Sequence, residues 1–158
     1  MTDNEDVWAV VVFRDGDRWQ VSQLPPGIAD DLDAVSAALR GQQPGAFALV
    51  DVADEFFVVV RNVGGEARYL LSDAGASVEW ELAAQVMDHL DLDIPDEDAS
   101  QDLWPVGELD VFDDLGLDAL ELSAILSDED AYADEMLSAI ARRLGFADAF
   151  ERAVDALV

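Results

Sequence analysis

Cysteine and lysine are both absent from this 158-residue chain, and histidine occurs once, at position 89. Without a thiol there is no disulfide, no Cys-ligated zinc and no thiolate nucleophile. With a single imidazole, a zinc hydrolase, a Cys-His pair or a triad drawing on a second histidine has little to build on. His89 falls near the end of an amphipathic segment, where such a residue more often lies at the surface or complements a helix dipole than catalyses. The glycines match neither a P-loop nor a dinucleotide-binding fingerprint. No apolar run approaches the ~20 residues of a membrane span. The first residues, MTDNED, are acidic where a secretory signal would be basic. The expectation is a soluble, cytoplasmic protein.

Positive charge is scarce. Eight basic residues stand against 36 acidic ones, for a net charge of -28. The excess runs the length of the chain, with 5 Arg against 17 acids up to residue 91 and 3 Arg against 19 beyond it. Such a field repels nucleic-acid phosphates and anionic membranes and draws in basic partners. It predicts no direct nucleic-acid binding, no membrane attachment and, where the charge has a role beyond solubility, a basic protein partner. Carboxylate pairs occur everywhere along the chain, so no pair is specific. The sequence nominates no catalytic residue, no metal ligand and no cofactor.

What the chain does have is apolar residues, 51% of the total, enough for a real core. The stretch around which the rest is organised is Ala46 to Asp73, AFALVDVADEFFVVVRNVGGEARYLLSD. Its runs Phe47–Val52, Phe56–Val60 and Tyr69–Leu71 read as strands. Gly64-Gly65 suits a two-residue hairpin turn, which would set Arg61 directly opposite Arg68. Like charges so placed are mildly destabilising unless an anion or a nearby carboxylate neutralises them. Arg61 and Arg68 are thus a candidate anion site, with local carboxylates as the simpler explanation.

Upstream, the uniformly apolar Val7–Phe13 suits a strand covered on both faces, and the alternating Arg18–Leu24 an edge strand. A two-residue turn at Asp15-Gly16 would set Val12 opposite Trp19 and Val10 opposite Val21. Asp30 or Asp31 is placed to cap a helix through about Arg40. A second helix over about Ala74–Leu90 carries Val78, Leu82, Val86 and Leu90 on one stripe. The order β-β-α-β-β-β-α predicts an α+β domain at residues 1–91. Its expected form is a five-stranded antiparallel sheet in the order 2-1-5-4-3, an arrangement shared by profilin-like, roadblock and longin domains.

Residues 92–108 read as an acidic linker. Asp96, Glu97 and Asp98 lie within it, and Trp104 follows as an aromatic anchor, together a candidate partner-docking segment. Residues 109–158 read as a tail of about three short helices. Asp118 and Glu121 match a capping box, Arg142 and Arg143 complement the dipole of the second helix, and Gly145 is placed as its left-handed cap. Asp110 to Glu121 has the length of a calcium loop, but Phe112 stands where an oxygen ligand belongs. Gly116-Leu-Asp-Ala-Leu120 resembles the acyl-carrier motif with Ala119 in place of the serine, so no phosphopantetheine can attach there.

Three blocks taken together carry a further resemblance: FRDGDRW, then FALVDVADEFFVVVR with ARYLLSDAGAS, and finally DLGLDALELSAILSDEDAYADEMLSAIARRLGF. They resemble the actinobacterial family of tRNA adenosine deaminase-associated proteins. The resemblance implies an accessory protein with a deaminase as its partner, and supplies no catalytic residues to carry over. Deaminase chemistry itself needs an H-x-E and P-C-x-x-C zinc site, for which this chain has no cysteine. The leading expectation is therefore a non-catalytic, acidic accessory protein. Two alternatives from other classes are a small-ligand or anion sensor using Arg61 and Arg68, and an enzyme of unrecognised type. No pattern in the chain specifies an oligomeric state.

Overall fold

The structure, a computed structural model, describes residues 7–29, 31–42, 45–63, 66–92, 105–128 and 130–155. The chain runs through β1 (Val7–Asp15), β2 (Arg18–Leu24), a single turn α1 (Pro26–Ala29), α2 (Leu32–Arg40), β3 (Phe47–Val52), β4 (Phe56–Val63) and β5 (Glu66–Leu71). It continues through a 3₁₀ turn (Ala74–Val78), α3 (Glu81–His89), β6 (Val106–Gly107), a second 3₁₀ turn (Asp113–Leu115), α4 (Ala119–Leu126), α5 (Ala133–Leu144) and α6 (Ala147–Asp155).

The class is α+β with an antiparallel sheet, but the sheet has six strands in the order β2-β1-β3-β4-β5-β6, not five in the order 2-1-5-4-3. The expected order made β3 an edge and paired β5 with β1. Every residue of β3 is buried, which an edge strand with one wet face does not allow, whereas β5 begins with the exposed Glu66 and Ala67. β3 therefore sits beside β1, pairing Val10 with Leu49, and the rest of the sheet follows as a meander. β6 then covers the β5 edge. Gly107 makes that approach feasible, since its φ is 109° and a Cβ there would lie 2.3 Å from the Tyr69 carbonyl oxygen.

The β1–β2 hairpin also differs in detail. Asp15 pairs with Arg18, so Gly16 and Asp17 form the turn, and Val12 faces Val21 while Arg14 faces Trp19. A shift of two residues keeps every side chain on its expected face, and Val21 and Trp19 still look the same way as Val10 and Val12. β2 is the edge strand, with alternating burial.

Both faces of the sheet are covered. On the front, Ala9, Val11, Ala48, Val50, Val58, Val60 and Leu71 meet Leu32, Val35 and Leu39 of α2 and Leu82, Val86 and Met87 of α3. On the back, Val10, Val12, Phe47, Leu49, Phe57, Val59 and Leu70 meet the segment from Val111 to Phe150, with Phe112, Leu122, Leu137, Ile140 and Phe146 central. The tail helices thus pack on their own sheet. Three helices of 8 to 12 residues are too short to persist alone; α5 is held against β3 and β4, α6 against β2 and α5, and α4 against α5.

The helix ends are fixed by the expected chemistry. Asp31 accepts from the backbone N–H groups of Asp33 and Ala34, and Asp118 from that of Glu121 at 2.8 Å. Gly145 closes α5 in the left-handed conformation, φ 103°. The capping box at α4 is one-sided, because the Glu121 carboxylate turns to Arg143, with contacts of 2.6 and 3.0 Å. The helix expected over Ala74–Leu90 breaks at Trp80 into a 3₁₀ turn and α3. Trp80 gives its indole N–H to Glu55 at 3.0 Å.

Candidate functional site

Arg61 and Arg68 do lie opposite one another across β4 and β5, on the face covered by the tail. Each has its own carboxylate. Arg61 is buried, and its guanidinium makes a two-pronged bond to Asp114 at 2.6 and 2.9 Å. It also donates to the carbonyls of Val111 and Gly45 at 2.6 and 3.2 Å. The Arg61 hydrogen bond holds the Asp114 carboxyl below the usual carboxylate range. Arg68 lies 3.2 Å from Glu108, both half-exposed, an ion pair without hydrogen-bond alignment. Arg61 therefore clips the start of the tail to β4, and its donors are occupied by acceptors from two distant segments.

The other nominated residues, Trp104, Asp96, Glu97 and Asp98, lie outside the described residues, as do Gly64 and Gly65. His89 ends α3, stacked on Tyr69 with ring centroids 5.0 Å apart and its Nε2 3.3 Å from Asp33. Ala119 is the first residue of α4 and Phe112 is fully buried.

A second polar constellation lies at the other end of the same face. Ala53 and Asp54, in the turn between β3 and β4, both take positive φ, 53° and 59°, a strained state for non-glycine residues. Asp51 steadies the turn, its Oδ1 accepting from Asp54 N–H at 2.9 Å. Asp54 in turn serves the N-terminus of α5, which has no side-chain cap of its own. Its carbonyl accepts from Ala133 N–H and its carboxylate from Asp134 N–H, at 3.3 and 2.9 Å. A turn 80 residues away thus caps the longest tail helix.

Asp51 itself is 1% exposed, between Trp8 on β1 and Phe57 on β4, and its Oδ2 has no partner among the described residues. Burial, with Asp54 and Asp134 nearby, pushes its carboxyl up to about 7. Burial and the Asp54 carboxylate also raise Asp134. The arrangement can hold a proton at neutral pH, and the acceptor that steadies the turn is on the group that carries it. Among the described residues no group of three His, Cys, Asp or Glu side chains is arranged to hold a metal ion.

The family described as Rv3753c-like tRNA adenosine deaminase-associated protein matches residues 7–147. This span takes in all six strands and α1 to α5. The chain belongs to that family. Protein Rv3753c of Mycobacterium tuberculosis is 42% identical to it over 158 aligned residues, covering 98% of this chain and 91% of that protein. No solved structure matches the chain. The family span holds Arg61, Asp114, Asp51, Asp54 and Asp134, so both polar constellations lie inside it.

Of these, Asp114 escapes a local reading and Asp51 does not. Asp114 is one acid among 36 and meets Arg61 from 53 positions away. Asp51 does carry a signal, an acid inside the otherwise apolar run FALVDV, where a buried carboxyl must find a donor or take up a proton.

Proposed function

We propose that this chain is a non-catalytic cytoplasmic accessory protein whose acidic surface attaches to a basic face of a tRNA adenosine deaminase. The observation that carries this is the charge of -28 on a chain whose sheet is covered on both faces by its own helices. The outward surface left to a partner is therefore helix, loop and the β2 edge, on a chain rich in carboxylates. The family's description names the deaminase, an enzyme that handles a polyanion and so must present basic surface. The same field opposes tRNA itself, so this chain binds the enzyme and not the nucleic acid. Among the described residues no helix is long and apolar enough to cross a membrane.

Charge steers such an encounter and apolar side chains hold it. Leu120 on α4, 81% exposed, and Tyr132 before α5, 64% exposed, are the two most exposed large apolar side chains of the described surface, ahead of Leu92. Trp104 and the acids Asp96, Glu97 and Asp98 add a third anchor and local charge.

The test is direct binding of the purified chain to the purified deaminase of the same organism. Binding is expected at about 0.05 M salt and at least tenfold weakening by about 0.5 M, where the Debye length shrinks to a few ångströms. Tyr132→Ala and Leu120→Ala should each speed dissociation several-fold. Absence of binding at low salt would overturn the proposal. The second reading, an anion sensor at Arg61 and Arg68, is disfavoured by the carboxylates already on both guanidinium groups.

A further inference from the structure

In a chain with 36 acids and 8 arginines, each arginine should find a carboxylate. Arg61, Arg68 and Arg143 do. The other five do not: among the described residues none of Arg14, Arg18, Arg40, Arg142 and Arg152 has a carboxylate within 4 Å. Of these, Arg18, Arg142 and Arg152 come from β2, the last turn of α5 and α6, and all line one cavity of about 830 Å³. Trp19 and Val21 form its apolar wall, and Asp17 and Asp148 are its acidic members.

Two more features point donors at this space. The first turn of α6, Ala147 to Ala149, lines the cavity, and no side chain among the described residues accepts from its N–H groups. The indole N–H of Trp19 has no acceptor among the described residues, and its nitrogen would be 3.7 Å from a Cβ added at Gly145. Trp19 is fixed in place, with Phe146 at 5.3 Å on one side and the Arg14 guanidinium 5.6 Å from its ring centre.

We propose that this cavity binds a small organic phosphate, with the phosphoryl group on Arg18, Arg142, Arg152 and the α6 amides and the rest of the ligand against Trp19 and Val21. Guanidinium groups and uncapped helix amides together are the chemistry that recognises phosphate. The volume falls within the ~300–1,000 Å³ of small-molecule sites. The overall charge of -28 does not forbid this, because charges farther than about 8 Å are largely screened at physiological salt. Among the groups lining the cavity, three positive charges face two negative ones. Arg142 also borders a second concavity lined by Asp128, Asp134, Glu135 and Glu151. A long polyanion would have to cross that acidic ground, whereas a single phosphate ester does not. The proposal is independent of deaminase binding.

Adenosine 5′-monophosphate, inorganic phosphate and adenosine serve as probes, followed through the Trp19 indole N–H resonance and by calorimetry. Saturable binding is expected for the monophosphate, weaker binding for phosphate and none for adenosine. Arg18→Gln and Arg152→Gln, both at exposed positions, should each weaken it about tenfold, as loss of a charge-assisted hydrogen bond does. Arg143→Gln, one position from Arg142 but already paired with Glu121, should leave it unchanged. Thermal melts confirm that each variant is folded. The proposal is overturned if neither phosphate probe saturates, if adenosine binds as well as its monophosphate, if folded Arg18 and Arg152 variants bind like wild type, or if a short single-stranded RNA binds where the monophosphate does not.

Discussion

The front and back of the sheet are covered by different means. In front, α1 to α3 lie between or just after the strands they cover, and their sheet face is built from small residues, Ala9, Ala48, Val50 and Val58 among them. Among the described residues this layer has one polar bridge to the sheet, the Trp80 indole N–H to Glu55 in the β3–β4 turn at 3.0 Å, while the Leu32 N–H to Gln85 at 3.1 Å joins α2 to α3. At the back, α4 to α6 arrive from far along the chain and meet an aromatic face. Phe47 alone has Phe112, Phe146 and Trp19 within 6.4 Å, measured between ring centres. This layer is also tied by polar bridges to the sheet at three places: Arg61 to Asp114, Asp54 to the start of α5, and Gln23 to the Ala153 carbonyl at 2.8 Å. A layer delivered by local chain order needs little beyond apolar contact to find its seat, whereas one delivered from a distance pays more loop-closure entropy and uses more directional bonds to set its position.

The largest effect that would sharpen this contrast is expected from Phe112→Ala. The ring is fully buried at the centre of the back cluster, and its removal should cost about 3–5 kcal/mol, more than Leu32→Ala in front at about 2–4 kcal/mol. Denaturant titration would measure both. Because β1, β3 and β4 supply both cores, each variant should still unfold in one transition.

Asp51 gives the next effect, and its sign is opposite to that of an ordinary ion-paired acid. Its folded carboxyl titrates near 7, against an ordinary value of 3.8. Between those values the folded chain holds a proton that the unfolded chain has released, so stability falls as pH rises and the full penalty is present above about 7. This group should cost the wild type up to about 4 kcal/mol between pH 4 and pH 8. Asp51→Asn keeps the acceptor for Asp54 and should remove that slope. Parallel pH series of melts on both proteins would read it from the difference, and matching slopes would show that Asp51 ionises normally.

Asp114→Ala should cost about 2 kcal/mol, because Arg61 keeps its two carbonyl acceptors and Asp114 is itself 65% exposed. Its pH sign is the reverse of that of Asp51. Asp114 stabilises above the ordinary carboxylate range, and its contribution is lost as pH falls through its depressed value. Chemical denaturation of the wild type and the variant at pH 7 and well below pH 3.8 would show the loss shrinking in acid. Gly145→Val should be the smallest change, about 1 kcal/mol or somewhat more. The added Cβ would make only ordinary contact with Trp19, and the cost is that of the left-handed backbone. An unchanged melt would remove Gly145 from the account of how α5 ends.

These magnitudes follow what was legible beforehand. The cap residues Asp31, Asp118 and Gly145 could be read because a cap is decided within four residues of itself. The faces of β1 and β2 could be read because period-two alternation survives a two-residue error at the turn. Strand order could not be taken from the element order alone. β3 and β5 both look like strands, and only the burial of β3 on both faces separates a centre from an edge. The candidate sites were legible in part for the same reason. The Arg61–Arg68 juxtaposition follows from one hairpin register, but Asp114, Asp54 and the gathering of Arg18, Arg142 and Arg152 depend on where the back layer lands.

The proposed attraction of this chain by charge to a tRNA adenosine deaminase is tested most directly by the association rate constant as a function of ionic strength. Stopped-flow mixing with the purified enzyme should show the rate constant falling about tenfold or more between roughly 0.02 and 0.5 M salt, with dissociation changing much less. An association rate that stays flat across that range would contradict the account, leaving the -28 charge as a device for solubility alone.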